Sequence, residues 1–107
     1  MLYKFRSKAA ADVIMTGPVG DRLMRLLGRE PAPQGIVLSD QIPAAIAALE
    51  AAIQAAEDAR RRLEEEARAE GRPPPPREEV GLRQRAWPLI EQMRRSHAAG
   101  NDIVWGA

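Results

Sequence analysis

Residues Ile42, Ile46, Leu49, Ile53, Ala56, Arg60 and Leu63 recur at spacings that alternate four and three. This is the seam of a helix with heptad character, coiled-coil-like in its period. The pattern runs on to about Ala69, and at 1.5 Å per residue such a rod is roughly 45 Å long. A helix of that length needs cover along its apolar stripe. The sequence offers it after a stiff reversal, GRPPPPR at residues 71–77, whose prolines favour polyproline II. Beyond it, Leu82, Ala86, Leu89, Met93 and His97 form a second stripe. Burying one stripe against the other predicts a long antiparallel helical hairpin over residues 39–99.

Details along the hairpin follow from local chemistry. Ser39 or Asp40 is the expected N-cap, with Pro43 in the first turn, where its missing N–H costs nothing. The far half, EDARRRLEEEARAEG, is almost wholly charged apart from Leu63 and should stand in solvent. Glu57 with Arg61 and Asp58 with Arg62 are spaced for i,i+4 ion pairs, each worth about 0.2–0.5 kcal/mol. Pro88 removes a hydrogen bond from the last helix, so a kink or a restart is expected near Trp87. Gly100-Asn101 ends that helix.

The remaining segments read as a small sheet with one helix. LYKFR alternates, placing Tyr3 and Phe5 on one face and Leu2, Lys4 and Arg6 on the other. Residues 7–11 form a loose turn into a second strand, DVIMT, and the short connection predicts an antiparallel hairpin. Val19, Leu23, Leu26 and Leu27 then share a helical face that Gly28 terminates. Ile36-Val37-Leu38 reads as a third strand or an apolar plug. Asp102 to Trp105 is expected to join the N-terminal hairpin, because a free IVW would expose large apolar area. The fold class is therefore α+β: a small, mainly antiparallel sheet, one packed helix and the helical hairpin. All of residues 1–107 are expected to form one domain, with 1–38 as strand hairpin and first helix and 100–107 as the C-terminal strand.

Composition narrows the function. With 16 basic and 15 acidic residues the chain has a formal net charge of +1, which disfavours a general nucleic-acid binder. The balance is uneven: residues 1–38 hold six basic and three acidic residues, 39–71 four and eight, and 72–107 six and four. Aromatic residues are 4% of the chain, so an aliphatic core is expected. Cysteine is absent and histidine occurs once, which removes thiolate chemistry and any single-chain poly-histidine metal site. No metal or cofactor is expected. The charged N-terminal segment and the absence of a run of about 18 apolar residues predict a cytoplasmic protein without a membrane segment. Fourteen of the basic residues are arginine, and with abundant alanine this fits a GC-rich bacterial coding sequence.

The blocks LYKFRSKA, GPVGDRLMRLLGREPAPQGIV, IPAAIAALEAAI, LRQRAWPLIEQMRRSHAAG and the terminal IVWG resemble a family of short bacterial proteins, domain of unknown function 1840. The resemblance covers nearly the whole chain. It implies no catalytic residue, cofactor or partner.

Two constellations bear on function. MTGPVGDRLMRLLG looks like a phosphate-binding turn, but Pro18 offers no N–H and Asp21 is expected in or near the first helical turn, opposing an anion. It lacks the lysine of a P-loop and reads as a structural corner. The second constellation is Arg83, Arg85, Trp87, Arg94, Arg95 and His97. Arginines beside an indole suit a carboxylate or phosphate, whereas helical spacing also fits a solvated face. Trp105 is expected in the core or an interface, on a short edge strand. The leading expectation is a non-enzymatic interaction or structural protein, with a protein partner or self-association. The alternative is a small anionic ligand held by Arg83, Arg85 and His97 between sheet and hairpin.

Overall fold

A computed structural model describes residues 2–77 and 80–106; Met1, Glu78, Glu79 and Ala107, which include both ends of the expected domain, lie outside the described residues. The elements are β1 (Leu2–Ser7), β2 (Ala10–Thr16), α1 (Gly17–Leu26), β3 (Gly35–Val37), a 3-10 turn (Ser39–Gln41), α2 (Ile42–Ala69), α3 (Leu82–Ala98) and β4 (Ile103–Trp105). The fold is α+β, with an antiparallel sheet in the order β2-β1-β4-β3.

Alternation in β1 places its faces as expected. Tyr3 and Phe5 are each 1% exposed, and Leu2 on the other face is open. Phe5 opposes Val13 and Ser7 opposes Ala10, so β2 carries one extra residue across from Arg6. This bulge lies beside the turn, where the Ser7 hydroxyl accepts from the Ala9 N–H at 3.2 Å. Pairing already resumes at Ala10, so the turn is tighter than the expected 7–11 loop.

The C-terminal strand takes an interior place, which corrects the expectation of an edge. β4 pairs with β1 through Phe5 and Trp105 and with β3 through Val37 and Ile103 and through Gly35 and Trp105. The Gly35-Ile36-Val37 segment is thus a strand, and it covers the flank that β4 would have exposed. Trp105 lies over Gly35, where an added Cβ would come within 2.3 Å of the indole. Its Nε1 donates to the Ala32 carbonyl at 3.1 Å.

The core is mainly aliphatic, as expected from composition, and includes three aromatic residues, Tyr3, Phe5 and Trp105. Tyr3 stacks on Phe5 with centroids 5.7 Å apart, and Phe5 meets Trp105 at 5.6 Å. Few aromatic residues suffice because three of the four converge.

Helix α1 packs on this centre through Gly17, Gly20, Leu23 and Met24, with Val19, Leu26 and Leu27 only partly buried. The buried face is turned from the expected one because Gly20 has no side chain and the Tyr3 ring lies against the helix there. Thr16 is the N-cap position and the first turn holds no acidic residue. Asp21 instead accepts a hydrogen bond from the Tyr3 hydroxyl. Its role is therefore to tie α1 to β1, not to cap the helix. Burial first, and then the Asp21 carboxylate, push the Tyr3 phenol up to about 12 from 10.0. The neutral phenol is the form the fold favours, so this contribution to stability is present below pH 10.0 and is lost as pH rises through about 12. Tyr3 is the only tyrosine, and its ultraviolet titration is expected to show ionisation near pH 12 in the native protein and near 10 in denaturant.

Helices α2 and α3 run antiparallel, with Glu50 beside Arg94 and Glu57 beside Arg83. Ile42, Leu49 and Ile53 are buried, as are Leu82, Ala86, Leu89, Ile90 and Met93. Helix α3 covers only the first half of α2. Neither Ser39 nor Asp40 is the N-cap of α2; that position is Gln41, whose Oε1 accepts from the Leu38 N–H at 3.0 Å. Helix α3 passes through Pro88 without a restart. Pro88 and Gln84 both face outward, so water can reach the carbonyl that Pro88 leaves without a donor. Ser96, not His97, completes the buried stripe, its hydroxyl 2.6 Å from that of Ser7. Gln92 ties α3 to the hairpin by donating to the Phe5 carbonyl at 2.8 Å and the Ala11 carbonyl at 3.1 Å. The helix ends as expected at Gly100, whose φ of 71° lets the Asn101 N–H reach the Ser96 carbonyl at 2.8 Å.

Candidate interaction surface

Three of the arginines of α3, Arg83, Arg85 and Arg94, bind within the chain. Arg83 forks onto Glu57 through Nε at 2.9 Å and an Nη at 2.8 Å. Arg94 reaches Glu50 and Glu91 and lies 5.4 Å from the centre of the exposed Trp87 ring. Arg85 donates to the Val80 carbonyl at 3.2 Å. His97 Nδ1 lies 3.0 Å from the Ser39 carbonyl, at the other end of the helix. Arg83 and His97 are fourteen positions apart on α3, a rise of about 21 Å, so Arg83, Arg85 and His97 do not meet around one ligand. Arg95 is exposed and Trp105 is in the core.

The charged half of α2 is partly covered. Arg60 pairs with Glu64 at 2.9 Å and donates to the carbonyls of Pro75 and Pro76. Arg77 returns to Glu64 at 2.5 Å. The proline segment is thus fastened along α2, which is why this half does not stand fully in solvent. The expected i,i+4 pairs give way to Glu57 with Arg83 and Asp58 with Arg61. An open groove of about 760 Å³ remains, floored by Ile53, Ala56, Leu63 and Leu82.

Hydrogen bonding to Arg83 holds the Glu57 carboxyl below the usual 4.5, and Arg60 does the same for Glu64, against a smaller opposing effect of desolvation. A depressed carboxyl pKa contributes stability above the ordinary value, and the contribution is lost as pH falls through the folded value. Arg83→Gln is therefore expected to return the Glu57 titration, followed by carbon NMR of its carboxyl, towards 4.5.

A second exposed apolar surface lies on the sheet. Tyr3, Phe5, Val37, Ile103 and Trp105 face the helices, and the opposite face of the sheet has no layer over it among the described residues. There Leu2 is 67% exposed, Ile14 61% and Ile36 42%. The cross-strand pairs Lys4 with Ile14, Arg6 with Val104 and Ile36 with Val104 put cationic side chains among these aliphatic ones. Arg6, Lys8, Asp12 and Asp102 border a shallow concavity of about 490 Å³ at the turn end. Sequence reasoning named none of these residues as a site, although the outward set of β1 already held Leu2.

The two edges of the sheet differ. Edge strand β3 is three residues long, and Arg29 donates to its Ile36 carbonyl at 2.9 Å while also reaching Gln41 Oε1. Edge strand β2 is seven residues long. Among the described residues it pairs with a strand on one side only.

No helix among the described residues is long and apolar enough to cross a membrane, and no three histidine, aspartate or glutamate side chains among them cluster as metal ligands. No curated protein and no solved structure is significantly similar to the chain. The family described as Domain of unknown function (DUF1840) matches residues 1–105, spanning the sheet, all three helices and the uncovered face, and the chain belongs to that family.

Proposed function

We propose that this protein acts by binding polypeptides and not by catalysis, with the uncovered sheet face as its working surface. The observation that carries the reading is the exposure of Leu2, Ile14 and Ile36 together on one side of a sheet whose other side is packed. Isolated exposed aliphatic residues are ordinary, but several on one face mark an interaction surface. The alternative of an anionic small ligand loses its support, because Arg83, Arg85 and His97 are spread along α3 and engaged with separate groups. The cytoplasmic setting and the self-association expected from the sequence belong to this reading as well.

The test is affinity capture from the native cell with mass spectrometry, comparing the wild type with a variant that carries Leu2→Lys and Ile36→Lys. Both positions are exposed, so the fold should persist, and Arg83→Gln serves as a control on the helical side. Proteins recovered by the wild type and by R83Q but lost with the face variant support the reading. Recovery that survives the face variant and falls only with R83Q contradicts it.

A further inference from the structure

We infer that the free edge of β2 pairs antiparallel with β2 of a second copy of this chain, centred on Ile14, so that one sheet runs through both molecules. This rests on the interaction reading above and extends it from the uncovered face to the adjoining edge.

An edge strand offers a row of N–H and C=O groups that, unless side chains or water take them up, form a template for pairing with another extended chain. Proteins usually blunt such edges with proline, lysine, a bulge, a covering element or short length. The β3 edge is blunted in this way, being short and capped by Arg29. In β2, AADVIMT contains no proline and no lysine, and its one charge, Asp12, lies 3.6 Å from Lys4 of the same sheet. The bulge sits at the turn end, opposite Arg6, and Gln92 occupies the Ala11 carbonyl there. That leaves Asp12 to Thr16 as a regular, usable edge.

The residues on this edge choose both the partner and the register. If the helices of both copies lie on the same side, the two-fold axis is perpendicular to the sheet, and directly opposed residues must share a face. Centring on Ile14 sets Ile14 against its own counterpart on the uncovered side. It also sets Asp12 against Thr16, where the hydroxyl can donate to the carboxylate. On the helix side it sets Val13 against Met15, two residues left half-buried in the single chain although they pack on the core. Centring on Val13 would instead oppose Ile14 with Asp12, an apolar side chain against a charge. Of these two registers, the edge is complementary to itself in the one centred on Ile14.

The chain has no cysteine, so a single introduced thiol reports the pairing without interference. Opposed residues of antiparallel strands have Cα atoms about 4.5–5.5 Å apart, inside the roughly 4.4–6.8 Å that a disulfide spans. In the proposed register I14C meets its own counterpart, whereas T16C lies four residues out of register, about 13 Å from its counterpart. The experiment is mild oxidation of I14C and T16C at high micromolar concentration, read on non-reducing gels, together with sedimentation equilibrium of the wild type. The inference expects a dimeric wild type and a cross-linked fraction for I14C about tenfold above that for T16C. Equal cross-linking of the two variants overturns the register, and a monomeric wild type with neither variant cross-linked overturns the pairing. The interaction reading fails separately, if capture is insensitive to Leu2→Lys with Ile36→Lys.

Discussion

Replacing Trp105 with alanine is expected to lower the free energy of unfolding by about 3–5 kcal/mol. The indole is 3% exposed and does three things at once. It fills the space over Gly35, contacts Phe5 and donates a hydrogen bond to the Ala32 carbonyl. Because β4 lies between β1 and β3, truncation opens a cavity at the centre of the sheet instead of at its margin. Domains of this kind are stable by about 5–15 kcal/mol in total, so the variant should approach unfolding at ambient temperature. A urea titration followed by circular dichroism measures the effect, and Trp87, exposed on α3, remains as a fluorescence reporter. A loss below about 1 kcal/mol would mean that the indole is not part of the packed core.

Gly20→Ala is the second large effect, and its direction runs against helix propensity. Alanine in a helix interior is favoured over glycine by about 1 kcal/mol, so an exposed site would gain stability. At position 20 the new Cβ would fall 2.0 Å from Cδ2 of Tyr3 and 2.5 Å from two further ring atoms. The ring cannot yield easily, since it is stacked on Phe5 and tethered to Asp21. A net destabilisation of about 1–3 kcal/mol is expected from overpacking. The pairing of these two sites is testable by adding Tyr3→Leu. With the ring removed, Gly20→Ala should cost little or turn stabilising, and the non-additivity measures the clash.

Local chemistry made much of this fold legible. The alternation of LYKFR, the boundary set by Gly71 and the prolines, the stripe from Leu82 to Met93 and the stop at Gly100 depend on neighbours in sequence. The features that were not legible depend on residues far apart. Trp105 sits inside the sheet because Gly35, with no side chain, admits the indole on the neighbouring strand, and nothing near residue 105 encodes that. Asp21 reads as a cap until Tyr3, eighteen positions away, claims its carboxylate. Glu57 is spaced for Arg61, yet Arg83 from α3 brings a planar fork that makes two hydrogen bonds. The arginine, tryptophan and histidine group on α3 was visible as a cluster in sequence, but its distribution among separate partners was not. The uncovered face was half visible: β1 announced Leu2 as outward, whereas the placement of Ile36 and Val104 beside Arg6 required the strand order.

The same strand order bears on which surface the proposed self-association would use. Spacing alone favours the heptad seam of α2, but Ile42, Leu49 and Ile53 of that seam are spent in the core of one chain. What remains outward is Leu63 on α2, set against the longer apolar edge and face around Ile14.

Amide hydrogen exchange across a concentration series separates these surfaces most directly. Association through the sheet predicts that the amides of Asp12 to Thr16 slow as concentration rises, while those from Ala56 to Ala69 keep their rates. Slowing confined to Ala56–Ala69, with the β2 amides unchanged, would contradict it.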